Sequence, residues 1–497
     1  MGAFVLSATP SPTRLYERLA GEFLGQIQAG VLRPGDRLPS VRRVSRQKEL
    51  SITTVRQAYQ TLEDRGLIEA RPQSGYYVRW MRPKEPLARE ASPAMPMEPQ
   101  CVQLQDLARR VRDDASQSRL VQFGAAVPAP DLLPGGRLNN LLARVVRSGR
   151  VPPHLLGTAQ GCHELRVQVA RRAFLAGCNL AAEEVFITNG CTEALYLALR
   201  VVCQPGDLVA IESPTYFGIL QILEALDLRV LEIPCDPTEG LNLDALRSAL
   251  QHHPVRAAVV VANFSNPLGA CMPDANKRAL VEMLSAHEIP LIEDDLYGEL
   301  HFAERRPVVA RSFDTQGKVI LCASYSKTLS PGYRVGWLAP GRWAEKVERL
   351  KAALNLFSPA PPQLAIASFL ESGGFDHMLR RMRRAYALKI EKMADGVLRY
   401  FPEGTRVSCP QGGYVLWVQL PDGVDSLELY RRGLASGITL APGYLFAPGP
   451  RYRYYIRLNA AMLSAETEWA VRRLGELAGE LSQPVDRRPS PREAGDP

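Results

Sequence analysis

With 497 residues, the chain is long enough for more than one domain and for a large buried core. Its 46% hydrophobic and 23% charged residues are ordinary for a globular protein and exclude a mainly disordered or fibrous one. The net charge of +8 is concentrated at one end: residues 1–84 hold 14 Lys and Arg against 7 Asp and Glu, so a basic, polyanion-binding head precedes a near-neutral body.

Residues 1–10 read as an extension without the basic region and long apolar segment of a secretory signal. No apolar run anywhere approaches the roughly 18 residues needed to span a bilayer. The nine cysteines include no C-x-x-C pair. A reduced, cytoplasmic protein with no membrane partner is expected. In residues 11–80, Leu15, Leu19, Phe23 and Ile27 recur at helical spacing. Arg33-Pro34-Gly35-Asp36-Arg37-Leu38-Pro39 is a turn-rich connector, and Ser40 is placed to cap a short helix from Val41. Ser51 caps a third helix, whose Val55, Ala58, Tyr59 and Leu62 make an i, i+3, i+4, i+7 buried face. Thr53, Arg56 and Gln57 then face outward near its N-terminus, where a recognition helix meets bases and phosphates. Leu67-Ile68-Glu69 and Tyr76-Tyr77-Val78 flank Pro72-Gln73-Ser74-Gly75, a hairpin with a glycine tip. The outline is a winged helix-turn-helix.

The segments Leu38-Pro39-Ser40-Val41-Arg42, Thr54-Val55-Arg56-Gln57-Ala58-Tyr59, Leu62-Glu63 and Gly66-Leu67-Ile68 closely resemble the GntR-type DNA-binding domain. The resemblance implies contacts with double-stranded DNA from Arg42, Ser51, Thr53 and Arg56, with the wing at Ser74 and Gly75 near the minor groove. In one departure, Ile52 stands where the family often has an arginine. A guanine contact is then absent or replaced by apolar contact with a thymine methyl.

Residues 81–118 read as a linker, with Pro83, Pro86, Pro93, Pro96 and Pro99 among charged and small residues, then a helical pattern from Val102 to Val111. Short apolar strands at Val185–Ile187, Leu208–Ile211, Val230–Ile233, Ala257–Val261, Pro290–Ile292 and Val319–Leu321 alternate with helical patterns. An α/β body with a mostly parallel sheet follows. Residues 483–497, rich in Pro, Arg and Asp, read as a disordered tail.

Several motifs sit at strand ends of that body. Thr188-Asn189-Gly190-Cys191-Thr192-Glu193 opens a helix, a common turn that also makes a phosphate site. Glu212-Ser213-Pro214-Thr215-Tyr216 ends in an aromatic that stacks on a flat ring or is simply core. Asn263-Phe264-Ser265-Asn266-Pro267 leaves Asn266 at the sheet's carboxyl edge, where α/β ligands bind. Glu293-Asp294-Asp295-Leu296-Tyr297 offers carboxylates; a magnesium role needs a G-x-x-x-x-G-K-[ST] loop, which the chain lacks, so no metal is expected. An aspartate facing a pyridinium nitrogen keeps it protonated. Ser324-Tyr325-Ser326-Lys327 and Pro331-Gly332-Tyr333-Arg334 supply an amine able to bind a carbonyl covalently, with hydroxyls and a guanidinium for a phosphate. Late in the chain, Tyr455-Ile456-Arg457-Leu458-Asn459 carries an arginine suited to a carboxylate.

In order and spacing these motifs resemble fold-type I pyridoxal-phosphate enzymes of the aspartate aminotransferase class, over residues 119–482, which implies a smaller C-terminal subdomain beside the parallel sheet. That implies pyridoxal 5'-phosphate as cofactor, with Lys327 as the catalytic Schiff-base lysine and Asp294 on the pyridine nitrogen. It further implies Tyr297 and Asn266 on the phenolic oxygen, Tyr216 stacked on the ring, and Cys191, Thr192, Ser324 and Arg334 on the phosphate. Arg457 would hold a substrate carboxylate. Leu156 stands where the family has a tyrosine that reaches the partner subunit's cofactor, and Cys191 where it often has serine.

A GntR-type head on an aminotransferase-like body is the arrangement of the MocR family of bacterial transcriptional regulators. The resemblance implies a homodimeric, DNA-binding regulator that senses an amino compound or vitamin B6. The alternative is a working aminotransferase with an accessory DNA-binding head.

Overall fold

The computed structural model describes residues 15–28, 31–32, 36–64, 67–71, 74–78, 87, 98–102, 105–115, 117, 119–149 and 157–482. The expected N-terminal extension, most of the Pro-rich stretch, Pro72, Gln73, Leu156 and the tail at 483–497 lie outside the described residues. The chain divides into two compact units, Met1–Lys84 and Glu85–Pro497.

In the first unit, α1 (Leu15–Gln28), α2 (Val41–Lys48) and α3 (Ile52–Asp64) precede the antiparallel pair β1 (Ile68–Arg71) and β2 (Gly75–Val78). The apolar spacing in the sequence reappears as one core: Leu19, Ala20 and Phe23 of α1 join Val44 of α2 and Val55, Ala58, Tyr59 and Leu62 of α3. Tyr59 ties this core together. Its ring meets Phe23 and Tyr76 edge-on at 5.4 and 5.0 Å, and its hydroxyl donates to the Pro39 carbonyl at 2.7 Å. The Arg37 to Leu38 connector pairs with the wing, Leu38 N–H donating to the Tyr76 carbonyl at 2.8 Å.

The second unit opens with α4 (Gln105–Ala115), β3 (Val121–Gln122), α5 (Gly135–Arg147) and α6 (His163–Leu175). Strands and helices then alternate through β4 (Phe186–Thr188), α7 (Cys191–Val202), β5 (Leu208–Ser213), α8 (Phe217–Ala225), β6 (Arg229–Asp236), β7 (Gly240–Leu241), α9 (Leu243–His252) and β8 (Val255–Val260). Next come α10 (Asp274–Ala286), β9 (Leu291–Asp294), β10 (Val319–Ser324), β11 (Gly336–Ala339), α11 (Ala344–Asn355), α12 (Ala360–Glu371) and α13 (Gly374–Tyr400). The C-terminal part holds β12 (Arg406–Val407), β13 (Val415–Gln419), α14 (Ser426–Ala435), β14 (Ile438–Thr439), β15 (Ala441–Pro442), β16 (Tyr455–Asn459) and α15 (Glu468–Ser482).

All six expected strands belong to one eight-stranded sheet, ordered β4-β11-β10-β9-β8-β5-β6-β7. Pairings from β10 across to β6 are parallel, whereas β11 runs antiparallel to both β10 and β4. The central strands are buried on both faces, which explains their continuous apolar runs. A smaller antiparallel sheet, β12-β13-β16-β15, forms the C-terminal part. Among the described residues, no helix is long and apolar enough to cross a membrane.

Part of the expected linker packs into the body. Gln100 bridges to Val230 of β6 through two backbone hydrogen bonds of 2.9 Å, and Val102 is buried beside that strand's neighbours. On α4, Ala108 and Val111 face inward and join the core formed by the parallel strands. The Tyr430 hydroxyl of α14 donates to Asp114. An amphipathic helix needs a partner for its apolar face, and here the body supplies it.

Candidate functional site

The exposed side of the head is set by its two helix caps. Ser40 Oγ accepts the Arg43 N–H at 3.3 Å and starts α2, turning Arg42, Arg43 and Arg46 to solvent around a shallow concavity. Ser51 Oγ accepts the Thr54 N–H at 3.0 Å and starts α3, with Thr53, Arg56 and Gln57 exposed. Ile52, the departure from the expected arginine, is 48% exposed, unusual for so apolar a side chain. At the wing, Gly75 has φ +108°, a conformation glycine adopts readily, and Ser74 Oγ lies 2.6 Å from the Tyr77 hydroxyl. Of the expected DNA-facing residues, Arg42, Ser51, Thr53, Arg56 and Gly75 are exposed and Ser74 is half-buried. Arg43 and Arg46 were not singled out from the sequence. The signal lay in their spacing from Arg42 on a short capped helix.

In the body, the carboxyl ends of β4, β5, β9 and β10 carry the expected residues to one edge, as α/β sheets do. Lys327 follows β10; its Nζ donates to the Ala126 carbonyl at 2.6 Å and lies 5.9 Å from the Tyr297 ring centre. Burial, with the cations of Arg457 and Arg334 nearby, draws the Lys327 ammonium down to about 8, against the pull of Asp294. Asp294 ends β9, 4% exposed, and its Oδ1 accepts from Cys191 Sγ at 3.4 Å and Leu296 N–H at 3.1 Å. Burial pushes its carboxyl up to about 6, while those hydrogen bonds and Lys327 favour the ionised form.

Arg457 on β16 is fully buried. Its Nη1 donates to Asn266 Oδ1 at 3.3 Å and its Nη2 to the Gly124 carbonyl. It pairs with no carboxylate among the described residues, and burial lowers its pKa. Its Nε and the Tyr297 hydroxyl are buried with no hydrogen-bond partner. Buried polar groups in folded proteins are nearly always satisfied, so these two are donors that a bound group could use. Tyr216 is half-buried in a space that Gly218, lacking a Cβ, leaves for its ring.

The turn into α7 is a cradle. Gly190 has φ +85°, and a Cβ there would strike the Arg334 guanidinium, which donates to the Asn189 carbonyl at 3.2 Å and to Ser326 Oγ at 3.5 Å. Gly336 of β11 lets that strand press on the same turn. Thr192 is exposed in the first turn of α7, and Ser324 ends β10, accepting the Ser326 N–H at 3.2 Å. The free amides at this helix end, an arginine and hydroxyls form a donor set suited to a phosphate.

Sequence reasoning passed over several contributors. Glu193 Oε2 accepts the Asn189 N–H at 2.6 Å, and Glu193 Oε1 is held by Lys351 and Asn355 of α11, bracing the turn. An acid in a first helical turn after a glycine was its signal. Tyr414, after Gly412 and Gly413, donates to the Ala126 carbonyl at 3.2 Å and so shares that acceptor with Lys327. Gly124 and Ala126 act through backbone carbonyls, which no side-chain pattern announces.

Two family models match the chain: bacterial regulatory proteins of the gntR family over residues 15–78, and aminotransferase class I and II over residues 150–474. The uncharacterized HTH-type transcriptional regulators YdcR and YjiR of Escherichia coli are 39% and 38% identical to it. These alignments cover 94% and 93% of this chain, and 99% and 98% of those proteins. The chain belongs to the MocR-type regulators of the GntR superfamily. Among solved structures, the body of this MocR-type chain is similar to LysN, the α-aminoadipate aminotransferase of Thermus thermophilus, complexed with N-(5'-phosphopyridoxyl)-L-leucine. That match has 30% identity and a TM-score of 0.68, and covers 75% of this chain and 97% of that one. Members of the class I and II aminotransferase family use pyridoxal 5'-phosphate.

Proposed function

We propose that this chain is a DNA-binding transcriptional regulator whose aminotransferase-like body holds pyridoxal 5'-phosphate on Lys327 and senses an amino compound. One observation carries the reading. Beside a lysine whose amine is made unusually neutral, the Tyr297 hydroxyl and Arg457 Nε are buried without partners, in a chain that begins with a basic winged helix-turn-helix. When bound, the cofactor supplies an electron sink for the carbon that carries the ligand's amine.

The chain's own residues hold that group and shape the space around it. Lys327 fixes its carbonyl carbon, Asp294 keeps a proton on its ring nitrogen, and the Tyr297 hydroxyl donates to its phenolic oxygen. Asn266, whose Oδ1 already serves Arg457, keeps Nδ2 as a second donor to that oxygen. Tyr216 covers one ring face. Cys191 N–H, Thr192, Ser324 and Arg334 grip the phosphate, and Arg457 binds the carboxylate of an amino-acid ligand. On the head, Arg42, Thr53 and Arg56 meet DNA, with Ser51 at the cap and Ser74 and Gly75 at the wing. A homodimer brings two heads to paired half-sites. Regulation follows if the ligand favours one arrangement of the protein by its own differential affinity.

Borohydride reduction of the cofactor-loaded protein should leave the pyridoxyl label on Lys327 in a peptide map. Lys327→Ala should take no reducible label while keeping its circular dichroism. Because a neutral amine is required, loading should speed up with pH, reach half its maximum near pH 8 and level off above that, rather than have its midpoint near 10.5. Label on another lysine, or none at all, contradicts the reading.

Arg56→Ala should weaken operator binding and reduce the salt slope by about one unit, with the cofactor's absorbance unchanged. A salt titration that leaves both affinity and slope untouched would take α3 out of the interface.

Arg457→Ala should selectively weaken ligands bearing an α-carboxylate. A charge-assisted pair in a buried site contributes roughly 1.5–3 kcal/mol, so affinity should fall about ten- to a hundredfold. Titrations with an amino acid and with its decarboxylated amine, read by absorbance, make the comparison. Equal losses for both would remove Arg457 from the ligand site.

A further inference from the structure

This inference rests on the reading that the body binds pyridoxal 5'-phosphate. Cys191 stands in the turn entering α7, where the sequence expectation gave its residue a phosphate role. Its backbone amide is available for that role, at the N-terminus of a twelve-residue helix. Its side chain is turned elsewhere. The Sγ lies 3.4 Å from Asp294 Oδ1, and both residues are buried, at 8% and 4% exposure.

The direction of that hydrogen bond is settled by chemistry. Burial, together with the Asp294 charge, pushes the Cys191 thiol well above its ordinary value, so it keeps its proton and donates. Leu296 N–H donates to the same oxygen, and no described residue donates to Oδ2. One oxygen of Asp294 is therefore held by two donors while the other is left for a further one. The ionisable groups around the carboxylate include Asp295, the next residue, buried Glu212, and Lys327. Fully buried Cys322 lies opposite Asp294 in the parallel pairing of β10 with β9. Lys327 and Asp295 act in opposite senses, and of the side chains it is Cys191 that reaches Asp294 with a hydrogen bond.

We propose that Cys191 is a positioning residue for Asp294: its thiol fixes one carboxylate oxygen and favours the ionised form, leaving the other oxygen for the protonated ring nitrogen of the cofactor. The residue would thus work at two points, through its amide on the phosphate and through its thiol on the acid that pairs with the ring nitrogen.

A double-mutant cycle on the full-length protein, read as the dissociation constant for pyridoxal 5'-phosphate by fluorescence titration, tests this. Cys191→Ala should raise the dissociation constant about tenfold, the effect of losing one hydrogen bond to a charged group. Cys191→Ser, which keeps a donor, should restore most of the loss. In an Asp294→Ala background, Cys191→Ala should add nothing. If Cys191 only fills space at the start of α7, the alanine loss will be the same in both backgrounds and serine will not restore binding. Either result overturns the positioning role while leaving cofactor binding itself intact. A wild-type chain that takes up no cofactor overturns both.

Discussion

Excess positive charge in a largely dry space is the constraint on which the body's site depends. Lys327 and the fully buried Arg457 meet there, with the exposed Arg334 at its edge, and Asp294 is a carboxylate beside Lys327. Burial, and after it the neighbouring Arg457 charge, disfavours the ammonium of Lys327, its pKa drawn down to about 8. Arg457 cannot yield its proton and is left buried without an anion of its own. The imbalance suits a ligand that carries negative charge at two places. In the function proposed, a phosphate would answer Arg334 and the turn at Gly190, and a carboxylate would answer Arg457.

The rest of the body supports this charge arrangement. Parallel strands deliver Asp294 and Lys327 from neighbouring carboxyl ends, and β16 of the small C-terminal sheet delivers Arg457. Glu193, held by Lys351 and Asn355, stops the phosphate turn from opening. Gly190 and Gly336 are glycines because Arg334 and the turn occupy the space a side chain would need. The head is held by a different device, Tyr59, whose ring and hydroxyl join α1, the connector and the wing to α3.

Much of this was legible in the sequence because periodicity and strand-end chemistry are local. The buried face Val55, Ala58, Tyr59 and Leu62 and the six parallel strands follow from spacing alone, and each strand lies within a few residues of its expected place. What could not be read depends on partners far away in the chain. The helical pattern at Val102–Val111 looked like part of a linker because its apolar face had no visible counterpart until β6 and α14 stood beside it. Strand β11 was missed since its four residues, Gly336-Trp337-Leu338-Ala339, sit behind a turn and run against the expected parallel order. At the sheet's carboxyl edge, strand-end spacing told which residues would come together, and it did not tell where their side chains turn. Cys191 turns to Asp294 and Asn266 to Arg457, each a choice made by neighbours far away in the chain.

A DNA-binding head and a ligand-binding body in one chain matter functionally only if the second governs the first. The most direct measurement is operator affinity in a mobility-shift or anisotropy titration, with pyridoxal 5'-phosphate present and amino compounds added in turn, for the wild type and for Lys327→Ala. The account predicts that at least one amino compound changes the wild-type affinity, and that the variant binds DNA but does not respond. A wild type and variant that respond alike would contradict it, as would a wild type whose DNA binding ignores cofactor and amines altogether.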